Sequence, residues 1–417
     1  MNLRPKRWGL LALLTATQGL AQGSDQNLQI RGFSTLGYAT LLSKDKEMKE
    51  YLGISRTGTV LRDSKVGLNL SFKIDEVLSF SGQMIARGVD FFGQDFTDNR
   101  LDFDWYFLRY RPLEGLELRG GRQPIPFSLI AETQDVGFVN PWVRAPSEVY
   151  NMMPVKSMTG VQARYTVQTS LGSFEGGAYA GQDRAKYGFS LERYDKATDT
   201  AVVQKASGAV ANFPKMAGGF ISFNRDELTL LYANLALTSD IEANFPVSIP
   251  SGLAFPTSVN AEQPFNTSQS FDSHSIGISY DHDGFLAFAE KRLVKYKYDS
   301  LLGKNKGDLN GAYLTIGHEL GRVTPLLTYA QYTESGNTVR DVFDPTTFSS
   351  AQVKSESKRN AVSMIFGLNT RLHSNVIWKL EYLKADNKRQ DNFGVFAGTL
   401  YPGKSARVFS SSIDCTF

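Results

Sequence analysis

From Leu28 to Phe417 the chain runs through segments in which apolar and polar residues alternate, with short connections and long polar ones strictly interleaved between them. Val66 to Phe72, Val161 to Val167 and Val362 to Leu368 are the clearest, each placing its apolar residues at every second position. Period two is the signature of a strand with one greasy face. A strand that shows lipid only every second side chain crosses a bilayer with ~9 to 11 residues of half-apolar sequence.

The connections sort by length. Short ones fall at Lys73 to Glu76, Pro112 to Gly115, Gln168 to Gly172, Arg225 to Glu227, Asp281 to Gly284, Glu319 to Arg322 and Leu372 to Asn375. Long ones fall at Leu41 to Thr59, Gly88 to Arg100, Arg122 to Lys156, Gln182 to Pro214, Thr238 to Ser270, Ser300 to Asp308, Ser335 to Lys358 and Asp386 to Lys404. These boundaries predict an all-β fold: a single transmembrane antiparallel β-barrel of about 16 strands, with short periplasmic turns and long extracellular loops. A soluble β-sandwich has no reason to separate its loops in this way.

The first residues read as an export signal. Arg4, Lys6 and Arg7 precede an apolar run from Trp8 to Leu14, and Gly19-Leu20-Ala21 is a small-x-small cleavage site, so residues 1–21 form the signal peptide and residues 22–417 the barrel. Only 41% of the chain is hydrophobic and no window holds 18 consecutive apolar residues, which excludes a helical membrane protein. The formal charge of +3 comes from the three basic residues of the signal; without them basic and acidic residues balance at 42 each. Net charge therefore gives no reason to expect nucleic acid as a partner. Cys415 stands alone, so no intramolecular disulfide forms.

The final segment, Arg407 to Phe417, puts Phe409, Ile413, Cys415 and Phe417 on one face. A terminal Phe on such a strand resembles the assembly signal of bacterial outer-membrane barrels. Over essentially the whole mature chain the architecture resembles the Gram-negative porins. The local run Leu118 to Ser128, where Gly-Arg-Gln ends a strand and enters a Pro-x-Pro-Phe loop, is similar to the branch that includes the phosphate-selective porins. The resemblance implies residence in the cell outer membrane, a homotrimer, and a third long loop that folds inward to narrow the bore. Glu132, Asp135, Arg144 and Glu148 would then line the constriction while Phe127, Phe138, Trp142 and Tyr150 anchor it. The alternative is an external loop capped by aromatics. The basic residues are neither as dense nor as unopposed as a phosphate-selective pore requires.

Parity assigns the lumen face. Arg31, Lys65, Arg87, Arg119 and Arg164 each lie opposite an apolar set, and Arg109 and Arg111 join them if Tyr106, Leu108 and Tyr110 face lipid. Arginine on the lipid side at the midplane costs ~2 to 4 kcal/mol, so these side chains point inward. Two arrangements stay open: a basic wall facing the loop carboxylates across the opening, which makes a transverse field, or pairing with wall acids such as Asp63 and Glu117.

The expectation is a passive diffusion channel for small hydrophilic solutes and ions, seated in outer-membrane lipid, with no cofactor and no catalytic step. A substrate-selective anion channel is the alternative. A barrel-embedded enzyme needs a nucleophile with a histidine partner, and Ser273-His274-Ser275 is the only suggestive neighbourhood. The four histidines, His274, His282, His318 and His373, are too dispersed to name a metal site. An adhesive barrel with binding loops is a third class.

Overall fold

A computed structural model describes residues 27–43, 50–88, 101–153, 155–186, 190–195, 200–205, 207–249, 259–300, 303–344, 349–387 and 405–417. The expected signal peptide lies outside these residues. Sixteen antiparallel strands close into one barrel. In chain order they are β1 (Leu28–Leu41), β2 (Lys65–Lys73), β3 (Leu78–Arg87), β4 (Leu101–Leu113), β5 (Leu116–Pro124), β6 (Ser157–Thr169), β7 (Gly172–Lys186) and β8 (Ser207–Arg225). The second half comprises β9 (Leu228–Ile249), β10 (Val259–His282), β11 (Phe285–Ser300), β12 (Gly303–His318), β13 (Val323–Asp344), β14 (Ser349–His373), β15 (Val376–Asn387) and β16 (Ser405–Thr416). β1 closes the ring, pairing with β2 through Leu28 to Thr35 and with β16 through Phe33 to Leu41.

All seven short connections are tight turns at the expected places. The chain reverses at Asp283 and Gly284 with φ of 48° and 78°, the left-handed pair that a two-residue hairpin turn requires and that Asp-Gly tolerates. Interleaving puts every short turn at one end of the cylinder and every long connection at the other.

Several segments expected to be loops are instead ladder. Thr238↔Ser270 through Ile249↔Val259 is continuous antiparallel pairing, and so is Ser335↔Lys358 through Asp344↔Ser349. β7 and β8 likewise extend to Lys186↔Val210, and β11 and β12 to Ser300↔Gly303. These stretches lack a greasy face, so periodicity does not mark them. Once the register is set below, however, backbone hydrogen bonds carry the hairpin onward with no need for an apolar side.

The outer wall carries the apolar set. Val161, Ile221 and Ile276 are 64%, 62% and 61% exposed, and Leu36, Phe103, Leu108, Leu314 and Phe366 stand out beside them. An apolar surface of this extent is stable against lipid. Aromatics occur on both parities in β4 because a bulge at Gln83/Met84 leaves Asp104 without a ladder partner and shifts the alternation by one. Tyr106, Leu108 and Tyr110 are on the outside.

Candidate functional site

Among the described residues, two loops enter the interior. The first carries a small hairpin, Glu50–Tyr51 with Ile54–Ser55. Its Tyr51, Leu52 and Ile54 pack against inward residues of β1, β14, β15 and β16, among them Leu41, Ile365, Leu383 and Val408. The third, residues 125–156, enters the bore and touches walls on opposite sides. It holds a short helix, α1 (Ser147–Tyr150).

Apolar residues of the third loop explain its entry. Ile125, Phe127, Met152, Met153 and Val155 are buried against inward Phe213, Phe271, Val294 and Tyr296. Trp142 is 2% exposed, its Nε1 donating to Thr315 Oγ1 and Thr328 Oγ1 at 3.0 Å each, with the Tyr313 ring edge-on at 5.4 Å. Tyr150 donates to Glu290 Oε2 at 2.8 Å. Of the four expected anchors Phe127, Trp142 and Tyr150 are buried, while Phe138 is half-buried.

Polar groups on the wall meet the loop backbone. Lys379 Nζ, fully buried, donates to the carbonyls of Gly137, Asn140 and Trp142 at 2.6, 2.7 and 3.1 Å and sits 3.1 Å from Asp414 Oδ2. Arg292 donates to the carbonyls of Val149 and Phe127 at 3.0 and 3.1 Å and pairs with Glu290 at 2.7 Å. Glu381 accepts from the Val143 N–H at 2.8 Å. Sequence reasoning missed Glu290, Arg292, Lys379 and Glu381. The signal was present for Lys379 and Glu381, which alternate with outward Trp378, Leu380 and Tyr382, and was hidden for Glu290 and Arg292, which flank the outward Lys291.

The charges of the first strands meet the loop directly. Lys65 and Arg87 are cross-strand neighbours, a like-charge pair that repels. Asp135 bridges them, 3.6 Å from Lys65 and 2.7 Å from Arg87, with Lys156 at 3.3 Å and Asp104 on the far side of Arg87 at 2.8 Å. Arg109 and Arg119 are also directly opposite each other. Glu117 lies 3.2 Å from Arg109, 2.5 Å from Arg119 and 2.7 Å from Arg111, and Glu132 joins Arg119 at 3.2 Å to Arg164 in close contact.

Of the two open arrangements, pairing with a wall acid holds at Glu117, while the facing charged walls and the pairing of Asp63 need correction. The loop carboxylates Glu132 and Asp135 do not face the basic wall across an opening; they lie on it as counterions. A carboxylate taken out of water is stable only when paired, so the loop docks where the cations already are. Burial works against ionisation of Asp135, but Arg87, Lys156 and Lys65 outweigh it and hold its carboxyl well below the usual range. Partial burial also opposes ionisation of Glu132, whose side chain stays 43% exposed, and Arg164 and Arg119 outweigh it and lower its carboxyl. Asp63, expected to pair with the wall arginines, instead takes Arg144 of the loop at 2.5 Å.

The remaining expected residues are dispersed. Arg31 has inward parity at the short-turn end, exposed, 3.5 Å from Gln29, and joins no loop contact. Glu148 is buried in α1 and accepts from Ser147 Oγ at 3.3 Å. In Ser273-His274-Ser275 the two serines are buried on the inner side, while His274 is exposed outside, 2.9 Å from the Tyr232 hydroxyl.

Beside the docked loop lies a cavity of about 140 Å³. Its charged lining is Arg62, Lys65, Arg87, Arg144 and Lys156 against Asp63, Asp135 and Glu381, with Leu52 of the first loop at its edge. Five cations against three carboxylates bias the space toward anions.

These features define a closed sixteen-stranded barrel with an apolar exterior and a charged, loop-restricted bore. No family model and no curated protein matches the sequence. Solved structures match in fold. An anion-selective porin from Comamonas acidovorans aligns with a TM-score of 0.52 at 15% identity, covering 94% of this chain and 99% of that one. In-vitro folded OmpT, an outer membrane protein of Vibrio cholerae, aligns with a TM-score of 0.51 at 11% identity over 95% and 100%. Its trimer form gives 0.51 at 10% identity over 94% and 99%.

Proposed function

We propose that this chain is an outer-membrane porin, a passive diffusion channel for small hydrophilic solutes and ions whose bore is narrowed by the third loop. One observation carries the reading: residues 125–156 lie inside a barrel of sixteen strands, a width that side chains alone do not fill, and are pinned to its walls beside a charged cavity. Lys65, Arg87 and Arg144 act as the residues that solutes meet, with Asp135 as counterion to the first two and Asp63 to the third. Arg109, Arg111, Arg119 and Arg164 set the potential below them through Glu117 and Glu132. Residues 1–21 direct export, and residues 22–417 form the channel as a homotrimer. No catalytic step is involved.

An anion-leaning channel is the second reading, favoured by the excess of cations around the cavity. Reconstitution into a planar bilayer tests both. Discrete conductance steps support the channel, and their absence from folded protein overturns it. The sign of the reversal potential across a salt gradient decides between an anion-leaning and an unselective bore.

A further inference from the structure

Inside the barrel each like-charge pair that the register creates has a carboxylate laid across it. Outside, one does not. Lys297 of β11 stands directly opposite Lys306 of β12. Both are exposed, on the side of the wall opposite buried Tyr296 and Asn305. Among the described residues neither makes an ion pair. Lys291 and Lys295 continue the same outward row.

The nearby acids are committed elsewhere or offset other lysines. Asp299 pairs with Lys304 at 3.4 Å, and Lys295 is flanked by Asp272 and Asp308 as cross-strand neighbours. Two exposed ammonium groups held opposite each other repel, and an external anion relieves that repulsion.

Height on the wall identifies the anion. Leu293 lies on the same outward row between Lys291 and Lys295, its ladder partner in β12 is Asn310, and Leu314 and Ile316 continue the apolar surface toward the short-turn end. Lys297 and Lys306 thus stand two outward positions above Leu293 on the long-loop side, past the rung of Asp272, Lys295 and Asp308, at the height of a headgroup above the apolar belt.

We propose that the outward faces of β11 and β12 form a docking site for the phosphate headgroup of an anionic lipid in the leaflet on the long-loop side, with Lys297 and Lys306 gripping the phosphate and Leu293 and Leu314 receiving an acyl chain. The site is independent of conduction and stands whether or not the bore passes solute.

The test counts lipid retained by the full-length folded protein, purified in neutral detergent, by native mass spectrometry. Phosphatidylglycerol and phosphatidylcholine are added separately. The unaltered protein is expected to retain phosphatidylglycerol in preference, and Lys297→Glu with Lys306→Glu to lose on the order of tenfold of that retention. The neutral pair Lys297→Gln and Lys306→Gln carries the test if the charge-reversed protein does not fold. Equal retention by unaltered and variant protein, or of both lipids, overturns the proposal. Displacement of phosphatidylglycerol by inorganic phosphate alone would show that the lysines bind a free anion, which also overturns it.

Discussion

The ring of Phe417 occupies the space that a side chain on Gly32 would need. The two residues exchange backbone hydrogen bonds, Gly32 N–H to Phe417 O at 2.7 Å and Phe417 N–H to Gly32 O at 3.0 Å, and a Cβ at position 32 would collide with the Phe417 ring. The terminal aromatic thus closes the join between first and last strands because the opposing position has no side chain. Gly32→Val is expected to cost about 1–3 kcal/mol by overpacking. The check is the yield of heat-modifiable, compact protein on gel electrophoresis, which should drop for Gly32→Val and be partly restored when Phe417→Ala is added.

Trp142 spans from the loop to two threonines of the far wall. Trp142→Ala removes the ring and its donor and is expected to destabilise loop docking by about 3–5 kcal/mol. Single-channel conductance should rise while the barrel keeps its compact mobility. Unchanged conductance would mean that the loop is held in place without this contact.

Lys379 is buried beneath three loop carbonyls and Asp414. Lys379→Met takes a donor from those carbonyls and leaves the Asp414 carboxylate, still hydrogen-bonded by Thr35 and Ser412, without a counter-charge, a loss of about 3–5 kcal/mol for a broken buried pair. Lys379→Met combined with Asp414→Asn should be milder than Lys379→Met alone, because the stranded charge is gone. Denaturant unfolding of the two variants gives the comparison.

The carboxyl of Asp135 is held low by Arg87, Lys156 and Lys65. A group depressed in the folded state contributes stability that is complete above its unfolded pKa of ~3.9 and is lost as pH falls through the lower folded value. The contribution of Asp135 to loop docking should therefore be constant from neutral pH down to the ordinary aspartate range and be lost only in stronger acid. Pepsin cleavage within residues 125–156 measures this, and Asp135→Asn should be cleaved with much weaker pH dependence.

The same substitution reads out selectivity. Asp135→Asn removes one of three carboxylates around the cavity and should move the reversal potential toward anions, whereas Arg87→Ala should move it toward cations. Equal potentials for both variants would place the selective region elsewhere in the bore.

The turns were legible because their chemistry is local: Asp283-Gly284 needs only its own backbone to reverse the chain. Outer-wall parity was legible wherever one face is apolar; in β4 it was ambiguous, because the bulge at Asp104 depends on how β3 and β4 pair, although Tyr106, Leu108 and Tyr110 do face outward. The hairpins above the belt were read as loops because water imposes no period on them. Inward orientation of Lys65, Arg87 and Arg119 followed from alternation, but their partners did not. That Asp135 lies between Lys65 and Arg87 depends on where a 32-residue loop comes to rest. The apolar hairpin at Tyr51 and Ile54 carried too few residues to stand out before its pocket was formed.

The third loop finds its holdfasts at Asp63, Thr315, Lys379 and Glu381, residues that lie before it and far after it in the chain. Such contacts have large sequence separation and are slow to form. The restriction is therefore expected to follow the wall. On the proposed reading as a channel, a newly closed cylinder would then pass through a wide-bored stage, briefly leakier than the finished protein.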